Sequence, residues 1–201
     1  MNICALGADL STSGDVADGS LERKVARTLQ TLELARDLAV PQVTARVGLP
    51  AVKQHALRDL FREALACVAE QADRVGCHFL IETAGNSAQT LSEVLGELNC
   101  DHLKLCYDPG ELMMAGLDPL APIELLADDI MLSHIRDATI GTAQRPGQET
   151  VLGRGQLNLP AYLAQLEQAG YRGPHLIRRA HSDRPADDIA ACRDHASQFI
   201  G

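Results

Sequence analysis

Short apolar runs alternate with longer amphipathic segments along the chain, and this alternation restricts the fold more than any other feature of the sequence. The apolar runs predict strands at Asn2–Leu10, Gln42–Val47, His78–Glu82, Leu103–Tyr107, Ile130–Arg136 and Pro174–Arg178. The amphipathic segments predict helices at Leu21–Leu38, Val52–Val75, Ser87–Leu98, Leu120–Ala127, Leu159–Ala169 and Ala186–Phe199, with a long polar loop at Thr139–Gln156. Six βα units in strict alternation indicate an α/β protein, with a parallel sheet and helices packed outside it.

An open doubly wound sheet and a (β/α)₈ barrel of the TIM type both fit this order of elements. A Rossmann-like sheet would have a glycine-rich phosphate turn after the first strand, and none follows Asn2–Leu10. Polar residues instead end strand after strand, namely Glu82, Asp108, His134 and Arg178. In a barrel these strand ends meet at one mouth, so the sequence favours a barrel.

The composition excludes some classes of function. The 201 residues carry a net charge of −9, which opposes nucleic-acid binding through bulk charge. No apolar run has the length of a membrane span, and the N-terminus lacks the basic and apolar regions of a secretory signal. The six cysteines include no C-x-x-C pair, so we expect reduced cysteines in a cytoplasmic protein.

Two carboxylates and an imidazole end three of the predicted strands. Side chains alternate along a strand, so Glu82, Asp108 and His134 point to the same side as the residues two positions before them. If that side is the barrel interior, the three groups meet at the mouth and suit Mn²⁺, Mg²⁺, Co²⁺ or Zn²⁺. The alternative is that each is an isolated polar residue at a strand end.

Five segments in order resemble motifs of the sugar phosphate isomerase/epimerase (xylose isomerase-like) family. They are LIETAGN at 80–86, YDPGELMMAGLDP at 107–119, HIRDA at 134–138, LGRGQLNLP at 152–160 and GYRGPHLIRR at 170–179. The resemblance implies a TIM barrel and a metal-assisted proton transfer next to the carbonyl of a sugar or sugar phosphate. It implies metal ligands at Glu82, Asp108 and His134, with Glu82 also acting as the catalytic base.

The resemblance breaks at the fourth metal ligand, where the family has Glu and this chain has Arg178. That change removes a ligand and half of the family's acid/base pair, and it places a guanidinium that repels cations and favours anions. Arg154 also replaces the usual Glu of its loop, and Glu111 stands where a neutral residue or His is usual. A divalent metal is therefore retained in one interpretation and absent in another, in which Arg178 pairs with Glu82 and Asp108.

Other residues complete the predicted site. Glu111 or His181 could serve as a replacement oxygen or nitrogen ligand. The resemblance places Arg136 and Asp137 at the substrate or around the metal ligands, and Asn86 and Glu111 could also contact substrate. Solvated strand ends and ordinary turns are the alternatives for these residues. In the active interpretation, Arg178 is a clamp for an anionic group of the substrate.

The first predicted strand corresponds to the third strand of the family, so we predict a single domain over 1–201 with about six of the eight βα units. A barrel with six units would leave the edges of its first and last strands open. Because open edges must be covered, we expect a homo-oligomer in which a second copy covers them. The expected function is a sugar isomerase or epimerase with a small carbohydrate substrate. The alternative is a catalytically degenerate barrel that binds a sugar or anion without turnover. A third hypothesis within the family is an endonuclease that acts at abasic sites, but the net charge of −9 opposes DNA binding.

Overall fold

The computed structural model of the protein describes residues 3–10, 20–48, 55–83 and 86–200. The chain divides into two compact units, Met1–Leu105 and Cys106–Gly201, with the boundary inside the fourth strand. The prediction of a single domain stays a prediction. In the part of the chain that is described, no helix combines the length and apolar composition needed to span a membrane.

The described residues of the first unit form strands and helices in alternation. Its elements are β1 (Leu6–Leu10), α1 (Ser20–Asp37), β2 (Gln42–Val47), α2 (His55–Val75), β3 (His78–Glu82) and α3 (Ala88–Leu98), followed by the start of β4 (Leu103–Tyr107). Helix α3 begins where the Ser87 hydroxyl accepts a hydrogen bond from the Thr90 amide, and it ends at Asn99 in the left-handed conformation. Both ends are thus specified by local sequence.

The second unit contains the longer connections. Its elements are α4 (Pro109–Met114), α5 (Ile123–Leu126), β5 (Ile130–Ile135), β6 (Asp137–Ala138), β7 (Glu149–Thr150), α6 (Leu159–Gln168), β8 (His175–Ile177) and α7 (Pro185–Ala196). A short 3₁₀ turn at Ala127–Asp129 leads into β5. Strands β6 and β7 form a separate antiparallel ribbon.

The main sheet has six strands in the order β1-β2-β3-β4-β5-β8. Strands β1 and β2, β2 and β3, and β5 and β8 pair in parallel, with Arg46 opposite Glu82 and His134 opposite Leu176. Strands β2 to β5 are buried almost along their length, as expected of parallel strands whose two faces are covered. The predicted α/β architecture of alternating strands and helices around one parallel sheet is confirmed.

The differences from the predicted elements lie at ends and in loops. Strand β1 starts at Leu6, β5 ends at Ile135, and β8 keeps only the three residues His175–Ile177 of the predicted strand Pro174–Arg178. Helix α4 was not predicted, because its six residues are too few to show a helical period. The predicted polar loop contains the β6–β7 ribbon, since two-residue strands carry no readable alternation. Residues 52–54 of the second predicted helix lie outside the described residues.

Candidate functional site

Asp108 is the centre of a buried polar cluster in the second unit. It follows β4, has no exposed surface, and accepts a hydrogen bond from the Glu111 amide as the N-cap of α4. Pro109 then occupies the first turn of the helix, where its missing N–H costs nothing. The sequence Asp-Pro-Gly-Glu therefore turns the chain directly from strand to helix and holds the carboxylate at the strand end.

Three cationic or imidazole side chains surround one oxygen of Asp108. His134 Nδ1 and Arg136 Nη1 each lie 3.2 Å from Asp108 Oδ2, and Arg178 Nη1 lies 3.8 Å from the same atom. Burial alone would raise the pKa of Asp108, but the hydrogen bond and charge of His134, together with the charge of Arg136, lower it to about 2. The carboxylate is therefore ionised throughout the physiological pH range.

Arg136 is the cation most deeply embedded in the cluster. Only 2% of its side chain is exposed, and it donates to Asp108, Glu111 and Glu149, with Nε lying 2.8 Å from Glu149 Oε1. Its burial opposes the charged form, but the carboxylates, Asp108 first, more than compensate and raise its pKa. A Cβ at Gly110 would lie 2.8 Å from Arg136 Cγ, so Gly110 is needed for the arginine stem to pass. Arginine, with five N–H donors in one planar group, suits this position better than lysine would.

Glu149 extends the cluster beyond the residues predicted from sequence. Its side chain is 1% exposed and accepts hydrogen bonds from Arg136, from Arg179 Nη1 at 2.9 Å, and from the amides of Ala180 and His181 at 2.8–3.1 Å. Burial would raise its pKa, but the two amides and Arg136 outweigh burial and lower it. Glu149 lies in a polar loop without periodicity, so no signal in the sequence pointed to it.

Arg178 and Asp137, two further predicted residues of this unit, have different surroundings. Arg178 follows β8 and contacts Asp108, and 30% of its side chain is exposed, so a ligand can reach it. The Asp137 carboxylate accepts four backbone hydrogen bonds of 2.8–3.0 Å, from Ala138, Gly153, Gly155 and Leu157. Those bonds fold the loop at 152–157, and a role of Asp137 in substrate binding stays a prediction. The glycine at position 155 is the sequence feature that could have indicated the contact between Asp137 and this loop, because a Cβ at Gly155 would overlap Asp137 Oδ1.

Glu82 and Asn86 belong to the first unit. Glu82 is the last residue of β3 and is 6% exposed, and Asn86 is 8% exposed and donates through Nδ2 to the Val47 carbonyl at 2.9 Å. This bond ties the segment after β3 to the end of β2. The roles of Glu82 as ligand and base, and of Asn86 as a substrate contact, stay predictions.

Cys106 is the one thiol beside the predicted ligands in the described part of the second unit. Its sulfur lies 3.5 Å from Nε2 and 3.8 Å from Nδ1 of His134. Near-equal distances to both ring nitrogens place the sulfur against the ring rather than along one N–H direction. Cys106 and His134 therefore do not have the directed hydrogen bond of a nucleophile–base pair.

A divalent metal at Asp108 and His134 can be tested against these contacts. The Asp108 oxygen that faces His134 also accepts a hydrogen bond from Arg136 and has Arg178 within 3.8 Å. Like unit charges about 4 Å apart repel by about 4 kcal/mol at an effective dielectric constant of 20. A divalent ion bound to this oxygen would be repelled by two guanidinium groups, those of Arg136 and Arg178. Among residues 3–10, 20–48, 55–83 and 86–200, no group of three or more His, Cys, Asp and Glu side chains is arranged to hold a metal. The residues as arranged do not fit a divalent ion.

The comparisons with known proteins agree with the fold. A family model described as the xylose isomerase-like TIM barrel matches residues 1–195. The chain belongs to this family. A search of curated proteins found no significant match. Membership in the family confirms the resemblance predicted from the five segments, and it makes the fold a TIM-barrel type.

Solved structures of several relatives share the fold at low sequence identity. A xylose isomerase domain protein from Planctomyces limnophilus is 20% identical with a TM-score of 0.86, over 98% of this chain and 76% of that chain. A xylose isomerase-like protein from Mycobacterium smegmatis in complex with magnesium is 17% identical with a TM-score of 0.75, over 96% and 72%. D-allulose 3-epimerase from Methylomonas sp. in complex with D-allulose is 18% identical with a TM-score of 0.75, over 96% and 76%. At these identities the likeness concerns the fold alone.

Proposed function

We propose that this protein binds a small carbohydrate that carries an anionic group, and that it does so without a resident divalent metal at Asp108 and His134. The observation that carries the proposal is the contact of two guanidinium groups, those of Arg136 and Arg178, with the same oxygen of Asp108. This is the catalytically degenerate alternative of the sequence analysis. It differs in one respect, since Arg136 rather than Arg178 is the closer cation.

Most carboxylates of the cluster are matched by a guanidinium without a metal. Four carboxylates face three guanidiniums in one connected set, which consists of Asp108, Glu111, Glu149, Asp188, Arg136, Arg178 and Arg179. Buried charges are tolerated when each has partners and hydrogen bonds, so no further cation is needed to stabilise the carboxylates. A divalent ion added to this set would create an excess of buried positive charge.

Arg178 is the member of the cluster suited to meet a ligand. Arg136 is 2% exposed and its fork is engaged by three carboxylates, whereas Arg178 is 30% exposed and contacts Asp108 at the longer distance of 3.8 Å. A guanidinium presents paired N–H donors that match the oxygens of a carboxylate or a phosphate. The carbohydrate part of the proposal is supported by structures of similar fold, which include a D-allulose 3-epimerase in complex with D-allulose.

A metal-assisted isomerase or epimerase is the second candidate. The juxtaposition of Asp108 and His134 at 3.2 Å and the burial of Glu82 at a strand end favour it, as does a relative with bound magnesium. Position 178, however, holds arginine instead of the carboxylate that shares the proton transfer with the first ligand in the family.

Ligand binding in the presence of a chelator separates the two candidates. Calorimetric titrations with D-fructose 6-phosphate, D-gluconate and D-allulose are run in EDTA and then with Mn²⁺. The proposal predicts that at least one anionic sugar binds equally in both conditions and that Arg178→Ala weakens it by tenfold or more, about 1.4 kcal/mol. Binding that requires Mn²⁺, or that Arg178→Ala leaves unchanged, would reject it.

A further inference from the structure

A polar cavity of about 690 Å³ that is wide open to solvent lies in the second unit, on the segment that directly follows Arg178. It is lined by segment 179–184, which connects β8 to α7, and by Asp188 in the first turn of α7. Cavities that hold small molecules commonly measure about 300–1,000 Å³, so this one has the volume for a sugar.

The lining has the chemistry of a site for hydroxyl groups. Ala180 is the single apolar member, and the others provide two guanidiniums, two carboxylates, a hydroxyl and an imidazole. Such a wall offers hydrogen-bond donors and acceptors in similar number, which suits groups that both donate and accept. The two carboxylates of the lining offset its two guanidiniums in formal charge, so the wall itself does not select an anionic group, and Arg178 is the cation left to hold one.

Hydrogen bonds hold the wall of the cavity in place. Asp188 Oδ2 accepts from Ser182 Oγ at 2.8 Å and from Arg179 Nε at 3.0 Å, which closes the segment against α7. Glu149 accepts the amides of Ala180 and His181 and fixes the start of the segment. A wall ordered before binding loses less conformational entropy when a ligand arrives.

An alternating chain of charges connects this wall to Asp108. Asp108 contacts Arg136, Arg136 contacts Glu149, Glu149 contacts Arg179, and Arg179 contacts Asp188, at distances of 3.2, 2.8, 2.9 and 3.0 Å. The cavity wall and the Arg178 environment are therefore parts of one hydrogen-bonded structure.

We propose that the cavity formed by segment 179–184 and Asp188 binds the hydroxyl groups of the carbohydrate whose anionic group Arg178 holds. This inference rests on the proposed function and adds to it the surface that recognises the sugar itself. The ligand is then a sugar phosphate or sugar acid, in which polyhydroxyl and anionic parts are joined.

The test uses two probes that share the anion but not the hydroxyls. D-fructose 6-phosphate and inorganic phosphate are titrated by calorimetry into the wild type and into His181→Ala, Asp183→Ala and Arg178→Ala. Asp194→Ala is the matched control, because Asp194 is an exposed carboxylate of α7 that does not line the cavity. Circular dichroism confirms that each variant is folded before its affinity is compared.

The proposal predicts that the cavity variants affect only the sugar phosphate, whereas the Arg178 variant affects both probes. The wild type binds fructose 6-phosphate at least tenfold tighter than phosphate, and His181→Ala and Asp183→Ala each weaken the sugar phosphate about fivefold while phosphate affinity is unchanged. Arg178→Ala weakens both probes, and Asp194→Ala affects neither. Equal affinity for the two probes, or cavity variants that bind the sugar phosphate like the wild type, overturns the cavity proposal alone. A wild type that binds neither probe overturns this inference, and a wild type that also fails to bind D-gluconate overturns the proposed function as well.

Discussion

Arg136 Nε lies 2.8 Å from Glu149 Oε1, and both side chains are almost completely buried, with exposed fractions of 2% and 1%. This pair joins the strand-end carboxylate Asp108 to the segment after β8. It places Asp108, one of the predicted metal ligands, in a network of ion pairs. The stability of that network, the packing of its loops and its affinity for metal can each be measured.

Removing Glu149 should destabilise the protein strongly. Glu149→Ala leaves the buried guanidinium of Arg136 without one of its partners and frees two backbone amides, and losing one member of a buried ion pair costs about 3–5 kcal/mol. Urea unfolding followed by circular dichroism measures the loss. Glu167→Ala, at an exposed position of α6, is the control and should change the unfolding free energy by less than about 0.5 kcal/mol. Similar effects of the two substitutions would show that the network contributes little.

A single methyl group at Gly155 should disrupt the loop at 152–157. The added Cβ of Gly155→Ala would overlap Asp137 Oδ1 and lie 2.5 Å from Thr150 Oγ1, so the four backbone bonds to Asp137 cannot all persist. We expect a loss of about 1–3 kcal/mol, the cost of strain and unpaired buried groups. Gly96→Ala is the control: it lies in α3 with open space around it and should stabilise the helix by about 0.5–1 kcal/mol. Equal melting temperatures for the two variants would argue against this role of Asp137 in the loop.

Stability should fall in two stages on acidification. Burial lowers the pKa of His175 and, with the nearby charge of His102, that of His78, so the unfolded state binds more protons than the folded state below about pH 6.5. The stability from these neutral histidines is present above about pH 6.5 and is lost as the pH falls towards their folded pKa values. Glu149, whose pKa is also lowered, contributes above about pH 4.5 and loses its contribution below it.

Chemical unfolding at half-unit pH steps measures this profile. The wild type should show a decline beginning near about pH 6.5 and a second one below about pH 4.5. His78→Gln should reduce the first decline and leave the second unchanged. A flat profile between about pH 7 and 5 would contradict the assignment of the first stage to buried neutral histidines.

Replacing Arg178 with the family's carboxylate should create metal affinity. Arg178→Glu removes one of the two guanidiniums at Asp108 and supplies the oxygen ligand that the resemblance places at this position. We expect Mn²⁺ affinity to rise at least tenfold, about 1.4 kcal/mol, in calorimetric titrations. Arg178→Gln, which removes the charge without adding a carboxylate, should give a smaller gain. No gain from either variant would mean that residue 178 does not control metal access to Asp108.

The order of elements and most of the strand-end residues could be predicted from the sequence, because periodicity and motif order are properties of contiguous residues. Asp108, His134 and Arg178 were expected in one place, and the structure brings these three together. Glu149 could not be anticipated, since its role depends on a loop returning to Arg136 from thirteen positions away. The resemblance placed Arg136 at the substrate or around the metal ligands, with a solvated strand end as the alternative. Its ion pair with Asp108 and its path past Gly110 could not be predicted from the sequence, because they depend on how distant segments pack.

Whether arginines or a divalent metal neutralise Asp108 is decided by the metal content and metal binding of the wild type. Protein purified without chelator is analysed by inductively coupled plasma mass spectrometry and then titrated with Mn²⁺, Co²⁺ and Zn²⁺ by calorimetry, with Asp108→Asn as the comparison. We expect far less than one ion per chain and no wild-type binding at millimolar metal beyond that of Asp108→Asn. About one ion per chain, lost in Asp108→Asn, would contradict the claim that arginines occupy the place of the metal.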